Sequence, residues 1–318
     1  MMRYAGLAQP KEGVWGFSGT AIQGKLFSTD ARILYVQPNN VEAVDLGNTG
    51  EDPTVPFATI QAALARCRPY RGDTILVGAN DAWTYGGGTT WTTPIQESVA
   101  VAVAGVTIMG ISAGLGVYIT PAAAGQFCFT VLATDVCIDG FAFMGGAGGG
   151  NGIYAEWAGG GGVWWADNLV VRNCYFDDQI DIAIQLEYIW NYRIENCKFE
   201  ECDAYGIYVD PLGSGCAYGA VAGNVFHDCA AAMSMRGGDK NEIYKNSILN
   251  SAAQAGAPAT DQGLDLTNGL ENQVFDNYFS CLLPVAAPGD YNDLNTAGAG
   301  DAWINNHCMN GEAITNPA

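Results

Sequence analysis

One short pattern recurs eight times along this chain, and a repeat constrains a fold more than any single residue can. It runs apolar residue, spacer, then Gly, Asn, Asp or Lys, two variable positions, and usually a large apolar residue. The copies are IMGISA (Ile108–Ala113), IDGFAF (Ile138–Phe143), VRNCYF (Val171–Phe176), IENCKF (Ile194–Phe199), VAGNVF (Val221–Phe226), IYKNSI (Ile243–Ile248), VFDNYF (Val274–Phe279) and INNHCM (Ile304–Met309). Successive copies lie 30, 33, 23, 27, 22, 31 and 30 residues apart. Units of that period stack, because none can bury its apolar face until a neighbour covers it.

Within each copy the apolar residues keep the period of two that belongs to a strand. Five units carry a second strand in which a small residue precedes an in–out–in alternation. These are GIYA (Gly152–Ala155), AIQL (Ala183–Leu186), GIYV (Gly206–Val209), AMSM (Ala232–Met235) and GLDL (Gly263–Leu266). Gly and Asn at the corners accept the left-handed backbone that a sharp bend needs. Asn224, Asn246 and Asn277 share one aligned position, occupied by Cys174 and Cys197 in earlier units, where stacked amides can bond from coil to coil. These features predict a solenoid of parallel strands. Phe57, Ile60 and Leu64 mark one face of a helix near 56–68, ended by Pro69 and Gly72, which would cap the open end of the first coil.

The segment PFATIQAALARCRPYRGDTILVGA (Pro56–Ala79), with the coil repeats, resembles the entry to the pectate-lyase-like superfamily of right-handed parallel β-helices, of the kind found in phage spike and virion proteins. The resemblance covers residues 32–311 and implies an all-β, single-stranded right-handed parallel β-helix with an N-terminal capping helix. Residues 1–31 would be a docking arm and 312–318 a tail. It says little about function, since this fold carries lyases, hydrolases and structural proteins alike.

Acidic residues number 33 against 13 basic, a net charge of −20 that repels phosphate backbones and anionic membranes, so neither nucleic acid nor membrane is an expected partner. Met1–Phe17 contains no apolar run of the secretory type, so export is not expected. The uncharged stretch Ser98–Thr134 is long enough to span a bilayer, but VAVAV alternates and Gly105, Gly110, Gly114, Gly116 and Pro121 interrupt it, which predicts coil strands. The ten cysteines fall mostly at repeat positions, Cys174 with Cys197 and Cys202 with Cys229, and read as small buried thiols of a reduced compartment. With two histidines and no CxxC, a zinc site is not expected. GISAG (Gly110–Gly114) matches a nucleophile elbow, but a strand-like run follows Ser112 where that motif needs a helix.

Aligning the second strands yields two columns. Between the apolar positions stand Tyr154, Gln185, Tyr208, Ser234 and Asp265; after them stand Glu156, Glu187, Asp210, Arg236 and Thr267. Coils stacked about 4.8 Å apart would set three carboxylates in a row with an arginine next. Like charges that close repel by between about 1 and about 3 kcal/mol, depending on the dielectric, which favours a bound cation or a proton. The resemblance implies roles: Glu156, Glu187, Asp210 and Arg236 as catalytic acid and base groups, with Glu187 and Asp210 as calcium ligands. A solvated acidic face is the competing reading. Tyr154, Trp157, Trp164, Trp165, Tyr188, Trp190, Tyr192 and Tyr208 crowd the same region, as platforms for sugar rings or for a neighbouring subunit.

Three functions follow. The leading one is a virion structural protein, a capsid-decoration or spike-like β-helix assembled in host cytoplasm. It would bind other virion proteins through its N-terminal arm and glycans through its aromatic face, as a trimer if spike-like. The others are a polysaccharide lyase or glycosidase acting on an acidic glycan, and a glycan-binding module without turnover.

Overall fold

The third position of the repeat makes the coil. Gly140 (φ 74°), Asn173 (52°), Asn196 (55°), Gly223 (67°), Lys245 (56°), Asp276 (56°) and Asn305 (55°) all occupy the left-handed region. Gly enters it freely and Asn or Asp at small cost, which explains every residue found there except Lys245. Each corner N–H donates to the next coil: Asn173 to Glu195 O (3.1 Å), Asn196 to Ala222 O (3.1 Å), Gly223 to Tyr244 O (3.2 Å). Every coil therefore turns at the same register.

The computed structural model describes residues 30–78, 82–85, 89–92, 94–111, 117–145, 149–156, 166–177, 180–209, 216–249, 262–266, 269–279, 291–292, 300–308 and 313–314. Among them three parallel sheets of ten, ten and eight strands wrap one core, beside a separate two-stranded hairpin, Ala82–Tyr85 with Thr89–Thr92. One antiparallel strand, Ala313–Ile314, closes the second sheet against Asn306–Cys308. On the first sheet Ile108, Ile138, Val171, Ile194, Val221, Ile243 and Val274 pair in one inward column. On the second, Phe143, Phe176, Phe199, Phe226, Ile248 and Phe279 do the same. The third sheet contributes Phe129, Ile153, Ile184, Ile207, Met233 and Leu264. The small residue before each third-sheet alternation has a steric cause. A Cβ on Gly206 would lie 2.6 Å from Ala232 O and 2.9 Å from the Phe226 ring.

The asparagine column forms as expected and gains a member. Asn224, Asn246, Asn277 and Asn306 are buried, each side-chain amide donating to the next at 3.0 Å where a next one follows. Cys197 joins its start, its N–H donating to Asn224 Oδ1 at 2.8 Å. The eight cysteines from Cys67 to Cys229 are free and buried.

Three expectations shift. The last repeat sits one residue earlier than INNHCM places it: Val274 pairs with Trp303, and Ile304 faces outward, half exposed. In the first copy the sixth position is filled by Ile119, which pairs with Phe143, while Ser112 and Ala113 lie outside the described residues. The helix spans only Ile60–Leu64, and Phe57 precedes it, bridged to Val36. Within Ser98–Thr134 the described residues form strands, and no described helix is long and apolar enough to cross a membrane.

The cap is nevertheless well anchored. Thr59 caps the helix, and Glu97 from the coil above accepts the N–H groups of Ile60 (3.0 Å) and Gln61 (2.8 Å). Beneath it, buried Asp73 accepts Arg32 N, Arg32 Nη2 and Arg68 N, each at 2.9 Å. Burial alone would raise this carboxyl, but the Arg32 side chain and the two backbone donors together hold it below its usual value. A carboxyl depressed in the fold stabilises above its unfolded pKa, about 3.9, and loses that contribution as pH falls through the folded value. Asp73→Asn should therefore cost about 2 kcal/mol at pH 7. The gap from the unsubstituted protein should close in thermal melts taken below about pH 3.9.

Candidate glycan-binding face

The third sheet builds the site, because its parallel register stacks the same outward position from coil to coil. Tyr154 pairs with Gln185, Gln185 with Tyr208, Tyr208 with Ser234, and Ser234 with Asp265. The inferred column is thus one continuous ladder. Ser234 and Asp265 are buried, however, so its open part is Tyr154, Gln185 and Tyr208.

At one end Tyr154 bridges two acids. Its hydroxyl oxygen lies 2.8 Å from Glu156 Oε2 and 2.7 Å from Glu187 Oε2, and Gln185 Nε2 donates to Glu187 Oε1 at 3.0 Å. Burial, then the hydrogen bonds to Glu187 and Glu156, push the phenol up, so it stays protonated and donates. The two carboxylate oxygens that meet on it are at most about 5.5 Å apart, so the phenol occupies the gap between the two acids. Phe127 stacks on Tyr154 with centroids 5.0 Å apart.

At the other end Tyr208 packs beside Tyr205 at 4.7 Å. Arg236 donates through Nε to Asp265 Oδ2, and that bond favours the charged guanidinium. The ion pair places Arg236 over a buried carboxylate, surroundings that favour its charged form.

Of the other sequence candidates, Asp210, Trp157, Trp164 and Trp165 lie outside the described residues. The calcium reading needs Asp210, and among the described residues no group of three His, Cys, Asp or Glu side chains could hold a metal. Tyr188 and Trp190 stand beyond the strand, at the corner leading to the first sheet. There Trp190 is 47% exposed and meets Tyr218 edge-on at 6.3 Å. Tyr192 is no platform: it is fully buried, its hydroxyl donating to Asn241 Oδ1 at 3.0 Å.

Sequence reasoning missed Phe127 and Tyr205. Their signal was an aromatic three residues before the outward column, in FCFT and YGIY. It also missed a polar cluster on the second sheet. Tyr175 Oη lies 3.1 Å from Asp177 Oδ1 and 2.6 Å from Glu200 Oε2, Lys198 Nζ sits 5.2 Å from the Tyr175 ring centre, and His227 Nδ1 is 3.6 Å from Glu200 Oε1. Tyr175 and Lys198 both bind Glu200, the Lys198 ammonium covers the ring that a sugar would need, and His227 Nδ1 meets no hydrogen-bond acceptor or donor among the described residues.

Residues 95–215 match a family model described as a right handed beta helix region. No curated protein matches the chain. Among solved structures it is similar to ORF18 of Geobacillus virus E2, at 11% identity and TM-score 0.48, over 87% of this chain and 53% of that one. It is similar to full-length tailspike protein 2 from Escherichia coli O157:H7 bacteriophage CAB120, at 11% identity and TM-score 0.46, over 86% and 37%. It is also similar to the pectin methylesterase from Aspergillus niger, at 16% identity and TM-score 0.39, over 91% and 89%. The chain spans about half the length of the first of these and little more than a third of the second. With its three in-register parallel sheets and this family match, the chain is a right-handed parallel β-helix.

Proposed function

We propose that this chain is the β-helical body of a virion structural protein, and that the outward face of its third sheet holds a surface glycan without cleaving it. The observation that carries the glycan reading is the ladder Tyr154–Gln185–Tyr208 with Glu156 and Glu187 at its edge. Outward groups repeat there at about 4.8 Å per coil, with aromatic rings at Tyr154 and Tyr208 two coils apart and polar Gln185 between them, an arrangement that suits an extended chain of hydroxyl-bearing rings. Binding is favoured over turnover because the Tyr154 phenol fills the gap between the two acids. Buried, reduced thiols suit assembly in a host cytoplasm. The proposed docking arm, residues 1–31, lies outside the described residues except for Asp30 and Ala31, and Asp30 is tied to the coil by Arg71 and Arg68.

The test is affinity for a panel of oligosaccharides, measured by calorimetry on the whole chain. Tyr208→Ala should weaken the best binder about five- to ten-fold, the loss of one stacking ring worth about 1 kcal/mol, with little change in melting temperature. Tyr218→Ala, on the corner, should leave that affinity unchanged. Equal loss in both variants, or release of reducing ends from the bound glycan, would refute this reading.

A further inference from the structure

Arg236 is built as a fork with its prongs outward. Its partner Asp265 has a side chain only 1% exposed, whereas the Arg236 side chain is 43% exposed. The pair is made through Nε alone, and among the described residues no acceptor meets the two terminal nitrogens. A carboxylate that grips Nε from below fixes the guanidinium plane and leaves two parallel N–H groups directed away from it, the geometry that matches a carboxylate or sulfate. Arg236 lies two residues past Ser234, the partner of Tyr208, in the turn that follows the strand, and reaches Asp265, the next residue of the ladder. The prongs therefore stand at the end of the open ladder.

The opposite end offers only acceptors. Glu156 and Glu187 can receive sugar hydroxyls but repel a second anion, and a net charge of −20 adds to that repulsion at long range. The face thus has a polarity, with one anion seat and, two coils back, a seat that rejects anions.

We infer that Arg236 anchors a single carboxylate or sulfate carried by an otherwise neutral glycan, and that the ligand is sparsely charged instead of a polyanion. This rests on the glycan reading above.

The experiment compares four oligosaccharides of equal length on the whole chain: one neutral, one with a single carboxylate, one with a single sulfate, and one uronate throughout. One of the singly charged ligands should bind about ten-fold tighter than the neutral one, the gain expected of charge-assisted hydrogen bonds, and which of the two gains more identifies the anion. The full uronate should bind no better than the neutral ligand. Because Arg236→Gln alone would strand a buried carboxylate, the variant is Arg236→Gln/Asp265→Asn, which keeps two neutral groups in contact. It should bind neutral and singly charged ligands alike while melting close to the parent. Equal affinity for neutral and singly charged ligands would overturn this inference and leave the glycan reading standing, as would an advantage that survives the double substitution. Tightest binding by the full uronate would also overturn it. Failure of all four to bind would overturn both.

Discussion

Truncating Phe199 to Ala should cost about 3–5 kcal/mol, read from urea unfolding curves. The ring is fully buried between two others, 4.9 Å from Phe176 and 4.5 Å from Phe226, and all three lie nearly parallel. Removing the middle ring opens a void that its neighbours cannot collapse into, because parallel pairing on both sides fixes their height. Phe199→Leu, which refills most of the volume, should cost less than half as much. A solenoid transmits such damage only to adjacent coils, so hydrogen exchange should quicken around 176–226 and stay unchanged near the cap. Equal loss for Leu and Ala would mean that the stack matters by area alone and not by fit.

The second large effect is expected at Asn246. Its Oδ1 accepts both the backbone N–H and the side-chain amide of Asn224, each at 3.0 Å. Its Nδ2 donates to Val221 O (2.9 Å) and to Asn277 Oδ1 (3.0 Å). All of this is buried. Asn246→Ala strands two donors of Asn224 and the Val221 carbonyl inside the core, and each orphan costs about 1–3 kcal/mol, so a total near 4 kcal/mol is expected. Cys stands at the equivalent position in earlier coils, where Cys174 Sγ reaches Arg172 O (3.2 Å) and Ile138 O (4.0 Å). Asn246→Cys should therefore cost less than Asn246→Ala but still more than about 1 kcal/mol, since a thiol is a weaker partner than an amide. Thermal melts of the three proteins check the order.

These two positions were legible in the letters because period and identity agreed there. Phe at the sixth repeat position and Asn at the fourth recur with nothing else to explain them. The same logic placed Glu156 and Glu187 side by side, since strand register converts equal spacing into contact. It failed by one residue in the last coil for a local reason. Trp303 and Ile304 are both apolar, and Asn305 and Asn306 both suit a corner, so two registers read equally well. The asparagine ladder decides between them, because only Asn306 can meet Asn277. What lies over a sheet is not written in the strand pattern. Asp265 and Ser234 occupy outward positions yet are buried, and Trp190 leaves the face because a corner intervenes after Tyr188, whose φ is 54°. The capping helix was read too long because Phe57 keeps helical spacing with Ile60 and Leu64 while serving instead as a bridge to Val36.

We propose that the third sheet, not another face or a corner, holds the glycan. The direct measurement is a crystal structure of the protein with the tightest oligosaccharide from the binding panel. Sugar rings lying along Tyr154, Gln185 and Tyr208, with hydroxyls on Glu156 or Glu187, are the predicted result. Rings seated on the second-sheet cluster around Tyr175 and Glu200, or on the Trp190–Tyr218 corner with the third sheet bare, would contradict it.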